Sequence, residues 1–323
     1  MIENKLRSQL DILFVIPIYN DWESVKVLLE KIEKLLRPAY SICYVLVNDS
    51  SEQKAKDSYF SELTSSVIEL ELSCNMGHQK AIAVGLAYIY DHYLTKYNVV
   101  MDSDGEDQPE DLRLLLAKTE HFTGVVFAQR AKRNDGLMFR LFYKLYKLLF
   151  FLLTGKKINF GNYCLIPGSY LQKMVHVPDI WNHFSGGVIR SGIPYTAVAT
   201  DRGKRYYGQS KMNFIRLILH GLSAVSVYTD FMAVRLIVLS FFLIVSTISG
   251  ITAVVFVRLF SNLAIPGWAT FTILGLAILL FLAMLLGLFL LFNVLTMKTQ
   301  KMIIPAKDYM DYIIDEKIFL PHE

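Results

Sequence analysis

Val99-Val100-Met101-Asp102-Ser103-Asp104-Gly105-Glu106-Asp107-Gln108-Pro109-Glu110 passes from an apolar run into four acidic residues within six positions. The apolar part reads as a buried strand. Glycine and proline then turn the chain, and Pro109-Glu110-Asp111-Leu112 has the pattern of a helix start, with proline in the first turn and acids at the positive end of the helix dipole. Ligands of an open α/β sheet bind at the carboxyl ends of its strands. Asp102 and Asp104 are two residues apart, so in extended backbone they project to the same side. Paired hard oxygens of this kind suit Mg²⁺ or Mn²⁺, and such an ion suits a nucleotide diphosphate. Taken alone, an acidic, solvated loop ahead of a helix would look the same. The neighbouring strand tips decide between the two readings.

Working outward, Asp11 to Ile18 (DILFVIPI) is a short apolar strand ending in Pro17-Ile18-Tyr19-Asn20-Asp21, and helical periodicity runs from Ser24 to Leu36. Ile42 to Asn48 is a second strand ending in Asn48-Asp49-Ser50-Ser51, either a turn cluster or a ribose and base contact. Val67 to Leu72 makes a third. It leads into Asn75-Met76-Gly77-His78-Gln79-Lys80 and a helix from Ala81, where glycine allows a ligand close to the backbone and Lys80 can reach a phosphate. His78, a lone histidine, reads as structural. Gly124 to Ala128 makes a fifth strand and delivers Gln129-Arg130. Alternating strands and helices of this kind predict a mostly parallel, doubly wound α/β sheet with polar residues gathered at one edge.

Composition bounds the rest. The 323 residues carry a formal charge of +4 and are 53% hydrophobic, with a mean hydropathy of +0.36. That is too apolar for an ordinary soluble protein and too polar for a many-span transporter. Cys43, Cys74 and Cys164 are dispersed and lack metal-ligand spacing, which fits a reducing compartment. The N-terminus is charged and shows no signal-peptide core, so the α/β part is expected in the cytoplasm. Nothing points to a nucleic-acid partner.

The ordered set V-I-P-I-Y-N-D, V-N-D-S-S, N-M-G-H-Q-K-A, M-D-S-D-G-E-D-Q-P-E and A-Q-R resembles glycosyltransferase family 2. Within it the resemblance is to the membrane-anchored polyprenyl-phosphate glycosyltransferases, the dolichol-phosphate mannose synthase-like proteins and their bacterial undecaprenyl-phosphate counterparts. It extends from about Asp11 to the end of the second apolar run. It implies a GT-A fold, a UDP- or GDP-sugar donor, a polyprenyl phosphate acceptor and transfer of one sugar with inversion. Pro17, Tyr19, Asp21 and Asp49 then fall to the base and ribose, with Asp21 standing where the family usually has glutamate. Asp102 and Asp104 match the metal-holding D-x-D carboxylates on the donor diphosphate, Asp104 counting also as catalytic, and Glu106 is a candidate third ligand for Mg²⁺ or Mn²⁺. Asp107 matches the following acid.

Leu137 to Leu153 sets Arg140, Lys144 and Lys147 on one face of an apolar helix, a pattern for the membrane interface, with a core-facing surface helix as the alternative. Arg130 and Arg140 are candidates to neutralise the lipid phosphate. In Asn159-Phe160-Gly161-Asn162-Tyr163-Cys164 the chain departs from the family's G-D-F-R-L-type segment, because Asn162 replaces an aspartate and Cys164 an arginine. Trp181 to Gly187 resembles a sugar-side segment. In Arg202 to Lys211 (RGKRYYGQSK), Arg205, Gly208, Ser210 and Lys211 match the family's R-x-x-G-x-S-K, with Ser210 a donor contact and Arg205 and Lys211 stabilising the leaving diphosphate. A basic patch that only holds anionic lipid is the plainer alternative.

Two apolar runs, about Leu236–Val257 and Phe271–Phe292, are each long enough to span a bilayer of roughly 30 Å. Basic residues before the first and after the second put both termini in the cytoplasm of a multi-pass inner-membrane protein. The expected organisation is a glycosyltransferase domain at 1–210, a juxtamembrane amphipathic helix at 211–230, two transmembrane helices within 231–297, and a cytoplasmic tail at 298–323 with no assigned role. Membrane lipid is an expected partner, and a homo-oligomer is compatible with this layout. Three rival readings are a family 2 enzyme acting on a polysaccharide or protein, a non-catalytic scaffold or flippase partner, and a metal-dependent nucleotidyltransferase.

Overall fold

The structure is a computed structural model that describes residues 8–37, 39–130, 148, 150–155, 160–208, 221–260 and 267–320. The chain divides into two compact units, a sheet with its helices and a pair of long helices. Each is described by itself.

The sheet unit begins with β1 (Ser8–Ile18), α1 (Trp22–Leu36), β2 (Ile42–Asn48), β3 (Ser66–Leu72), α2 (His78–His92) and β4 (Tyr93–Val100). It continues through α3 (Leu112–Thr119), β5 (Val125–Arg130), β6 (Cys164–Pro167), α4 (Gly168–Val175), α5 (Phe184–Arg190) and β7 (Tyr195–Thr200). The described strands form one sheet in the order β7-β5-β6-β4-β1-β2-β3-β8, β8 being Ile313–Phe319. β4, β1, β2 and β3 are mutually parallel, as are β5 and β7. The sheet is mixed, because β6 runs antiparallel between β4 and β5, and β8 antiparallel to β3. The sequence showed no separate signal for β6, whose four residues lie between two motifs.

Both faces of the central strands are covered, which is why β1 and β2 are apolar without a break. Side chains alternate along β1. Leu13 and Val15 join Val45, Val47 and Leu70 under α2, while Ile12, Phe14 and Ile16 join Tyr44 and Leu46 under α1. Pro17 is tolerated in a central strand because β4 pairing ends at Val15↔Val100, so no β4 residue is left waiting for its missing N–H. The sheet is thereby opened on one edge, and the tips of β1, β2 and β4 carry Asp21, Asp49 and Asp102 just beyond their ends.

The segment expected to be a plain tail is part of this unit. The chain leaves it at Val227 and returns at Met302. A short helix α8 (Pro305–Asp308) and a 3₁₀ turn (Tyr309–Tyr312) precede β8, which lies along β3. Three side-chain contacts fasten it: Tyr88 Oη donates to Glu316 at 2.6 Å, Tyr309 Oη to Asp91 at 3.0 Å, and the Tyr312 ring meets Trp181 at 4.9 Å.

The second unit is built on α6 (Thr229–Phe260) and α7 (Trp268–Thr299). Their apolar windows have mean hydropathies of 2.4 and 3.0, long and apolar enough to cross a membrane. Ala233, Ser240, Thr247 and Val254 are the buried residues of α6, spaced by seven, the interval of a helix–helix seam. Small side chains permit close approach there. Ser240 Oγ donates to the Ala283 carbonyl at 2.5 Å, and a Cβ on Gly287 would stand 3.0 Å from that hydroxyl.

At the foot of the sheet, Asp11 and Ser41 clamp the starts of β1 and β2. The Asp11 carboxylate accepts from the Ser41 N–H at 2.9 Å and its hydroxyl at 2.8 Å, and these bonds hold its pKa below the usual value of 3.8. A depressed carboxylate stabilises the fold above its unfolded pKa and loses that contribution as pH falls through the folded one. Solvent screens this only partly buried carboxylate, so Asp11→Ala should cost only about 0.5–1 kcal/mol at neutral pH, and the difference from wild type should shrink below about pH 4. Thermal melts across pH in detergent measure both.

Candidate active site

The acidic turn follows β4 directly. Beyond Val100 the chain leaves extended geometry, so the alternation expected to put Asp102 and Asp104 on one side does not apply. The turn is knitted by its own carboxylates instead. Asp107 accepts from the Asp102 N–H at 3.1 Å, and Asp104 Oδ1 accepts from the Glu106 N–H at 2.8 Å. Asp102 faces His78, whose Nε2 lies 3.0 Å from its Oδ1, whereas Asp104 Oδ2 is met by Arg205 Nη2 at 2.5 Å. Burial and the neighbouring charge of Asp102 push the Asp104 pKa up to about 6, against the pull of the Glu106 N–H and Arg205.

Residues 202–206 lie across this turn as a strap. The Gly203 N–H donates to the Glu106 carbonyl at 2.9 Å and the Tyr206 N–H to the Asp104 carbonyl at 3.0 Å. Arg202 grips Glu106 Oε2 through Nε at 3.0 Å and Nη2 at 2.5 Å. The approach is so close that Gly203 is required: a Cβ there would sit 2.6 Å from the Gly105 carbonyl oxygen. Gly105 itself has φ +83° and lies under the Tyr206 ring, which Lys31 Nζ covers from 4.3 Å. The strap also faces the β1 tip, Arg205 Nη1 being 4.0 Å from Asp21.

The structure thus brings Asp102, Asp104, Asp21 and Arg205 together in one cluster. Glu106 belongs to it differently: its carboxylate is turned to Arg202, and among the described residues no three His, Cys, Asp or Glu side chains converge as a metal cage. The donor set still fits Mg²⁺ or Mn²⁺, because such ions are commonly held by one or two carboxylates together with substrate phosphates.

Asp49 is an organiser of the site. It is 4% exposed, and its two oxygens accept from the N–H groups of Met76 at 2.7 Å and Gly77 at 2.9 Å. This holds the loop that presents His78, whose pKa burial alone would lower but which is raised because the charge and hydrogen bond of Asp102 act together with the charges of Asp107 and Asp104. The β1 and β2 tips are tied as well: Asn20 N–H donates to Ser51 Oγ at 2.9 Å and Trp22 Nε1 to the Gln53 carbonyl at 2.8 Å. Asn20 and Ser50 both have positive φ, 55° and 57°, a backbone strain that concentrates at functional sites. Tyr19 is exposed at this edge, while Pro17 is buried within β1. Lys80, in the first turn of α2, rests 5.9 Å from the Trp181 ring.

Arg130 ends β5, and its side chain lies outside what is described; Arg140, Ser210 and Lys211 lie outside the described residues, as does most of the basic helix around Arg140. Asn162 sits near the buried Ser185, whose hydroxyl donates to the Gly161 carbonyl at 2.9 Å and lies 3.3 Å from Asn162 Oδ1. Cys164 is fully buried in β6. His183 accepts from the Gly186 N–H at 3.0 Å and so caps α5 rather than facing a ligand. Two residues at the acidic turn carry little signal in sequence: His78 reads as a lone structural histidine and Arg202 as part of a basic run, its spacing of three from Arg205 being the available signal.

A family model described as glycosyl transferase family 2 matches residues 13–181, more than half of the chain. The chain belongs to that family. It is similar to the undecaprenyl-phosphate 4-deoxy-4-formamido-L-arabinose transferase of Yersinia enterocolitica, 26% identical over 221 residues, which is 63% of each protein. The protein of the same name from Yersinia pestis aligns with the same figures: 26% over 221 residues and 63% of each. The match therefore spans less than two thirds of those relatives. Among solved structures it resembles glucosyl-3-phosphoglycerate synthase from Mycobacterium tuberculosis in complex with Mn²⁺, UDP and phosphoglyceric acid, with a TM-score of 0.51, 10% identity, and 69% of this chain and 78% of that one covered. The same protein with Mg²⁺ and UDP gives 0.50, 11%, 69% and 79%. At that identity the likeness speaks for the fold, which is of the GT-A type with two apolar helices added.

If Asp49 holds the Met76–Gly77 backbone, Asp49→Ala should speed hydrogen exchange of those two amides by roughly tenfold, the equivalent of one or two net hydrogen bonds. Amides in β1 and β2 should be unaffected.

Proposed function

We propose that this chain is a membrane-bound inverting glycosyltransferase that moves one sugar from a UDP- or GDP-sugar to a polyprenyl phosphate. The observation that carries the reading is the acidic turn after β4, strapped by Arg202 and Arg205 and facing the β1 tip, in a family 2 domain that continues into two long apolar helices. The names of the Yersinia relatives supply the acceptor class, and the mycobacterial complexes with UDP and Mn²⁺ or Mg²⁺ suggest the donor class and the metal.

Only 17% and 6% of the apolar windows of α6 and α7 are buried, so their surface suits lipid rather than a protein core. Two crossings return the chain to the side from which it left. That agrees with Val227 and Met302 belonging to one compact unit, and with the charge pattern that assigns this unit to the cytoplasm. The hairpin tethers the domain to the bilayer, where a polyprenyl acceptor resides.

In the reaction an oxygen of the lipid phosphate forms a bond to the anomeric carbon while the bond from that carbon to the diphosphate breaks. Asp102 and Asp104 would hold a divalent cation, which would supply Lewis-acid stabilisation of the departing diphosphate. Asp21, Tyr19 and the loop held by Asp49 line the nucleoside side, and Lys80 and Arg205 face the diphosphate. Arg130, Arg140, Ser210 and Lys211 take their acceptor, donor and leaving-group roles on the family resemblance. No general base is needed, because a phosphate monoester is already largely ionised at neutral pH.

The test is transfer of radiolabelled sugar to undecaprenyl phosphate in nanodiscs, screened over nucleotide-sugars with Mg²⁺ or Mn²⁺. One donor should move label into the lipid phase, and Asp104→Ala should lower the rate by about 100-fold or more. Label appearing only on a soluble acceptor, or on none, would overturn the proposal.

A further inference from the structure

We infer that Arg205 is the resident counter-cation of Asp104, and that a divalent cation arriving with the donor diphosphate takes its place and frees the guanidinium to bind that diphosphate. The inference rests on the function proposed above and adds an order of events to it.

Both oxygens of Asp104 are engaged in this structure. Oδ1 accepts the Glu106 N–H at 2.8 Å, and Oδ2 is paired with Arg205 Nη2 at 2.5 Å. For Asp104 to ligate a metal, one oxygen must change partner. The Glu106 N–H belongs to the same turn and moves with it. The guanidinium comes from a strap a hundred residues further on, and is the partner that can leave. A cation also repels a divalent ion on the same carboxylate, so the two compete instead of sharing.

The guanidinium is incompletely satisfied where it rests. Among the described residues, buried Arg205 Nε finds no hydrogen-bond acceptor, and Glu106 Oε1 at 4.0 Å is out of reach. A buried donor without a partner is costly, and arginine's planar fork matches the oxygens of a phosphate. Arg205 therefore holds Asp104 while keeping one donor in reserve for an anion. Arg202 is the contrasting case, since it places two donors on Glu106, which is not shared with Asp104. Removing either arginine deletes one positive charge from the same turn, but only Arg205 occupies the carboxylate that the metal needs.

The experiment is Mn²⁺ binding to the full chain in detergent, followed by the paramagnetic resonance signal of free Mn²⁺, with and without saturating UDP. Without UDP, Arg205→Gln should bind Mn²⁺ about fivefold tighter than wild type, the scale of a partly exposed ion pair. Arg202→Gln should change it less than twofold. With UDP the order should reverse, Arg205→Gln losing about tenfold because the freed guanidinium is no longer there to hold the diphosphate. Arg205→Lys, which keeps the charge and is the safer variant for folding, should fall between wild type and Arg205→Gln in both arms. Equal tightening by both glutamine variants would mean general charge repulsion and would overturn displacement; so would weaker binding by Arg205→Gln without UDP. If wild type binds Mn²⁺ neither alone nor with UDP, the metal-dependent donor site itself fails, and that outcome is separate because it does not depend on any variant.

Discussion

Asp102, Asp104, Glu106 and Asp107 leave the sheet within six residues of one another, and mutual repulsion would open the turn unless something offset it. Three things do. Backbone N–H groups of the turn are aimed at Asp104 and Asp107, His78 is brought up by α2, and a strap of two arginines is laid over the top. Each has its own requirement elsewhere. The His78 loop depends on Asp49 at the tip of β2, and the strap depends on Gly105 and Gly203 for its close approach. Charge balance at one turn therefore links β1, β2, β4 and the segment after β7.

Much of this fold is written in local pattern. Continuous apolar runs marked β1, β2 and β5 because those strands are covered on both faces, and a buried strand needs no polar alternation. The D-x-D turn, the helix start at Pro109 and the two apolar helices were equally plain. What escaped notice depended on distant partners. β6 is four residues long and antiparallel, and it becomes a strand only because β4 and β5 leave a place between them. β8, with the charged sequence IIDEKIF, has little to mark it as more than a tail until β3 offers an edge. His78 looked like any isolated histidine, since nothing adjacent in sequence says that Asp102 will stand beside it.

The return of the chain after α7 has a structural consequence of its own. β3 would otherwise be an exposed edge next to the strands whose tips form the site, and such edges invite pairing with other chains. β8 covers it, and Tyr312 packs its ring on Trp181, the ring that Lys80 also faces. The part of the domain that lies after the apolar hairpin in sequence thus completes the part that lies before it. A truncated chain ending at α7 would lose an edge strand and one support of the site together.

The departure at Asn162 can now be weighed in the same terms. Replacing aspartate by asparagine removes a charge, and in a reaction that required a base this would be damaging. Here Asn162 stands beside the hydroxyl of Ser185, at the start of α5, in a network of neutral groups. A carboxylate at that position would bring a negative charge into this network, and would need its own counter-cation. The amide keeps the hydrogen-bonding shape without that charge. Cys164 follows the same logic, because its position in β6 is fully buried and an arginine there would have to be paired in the core. The two departures remove one charge of each sign two residues apart, so they balance each other and leave the acidic turn and its strap as the charged centre of the site.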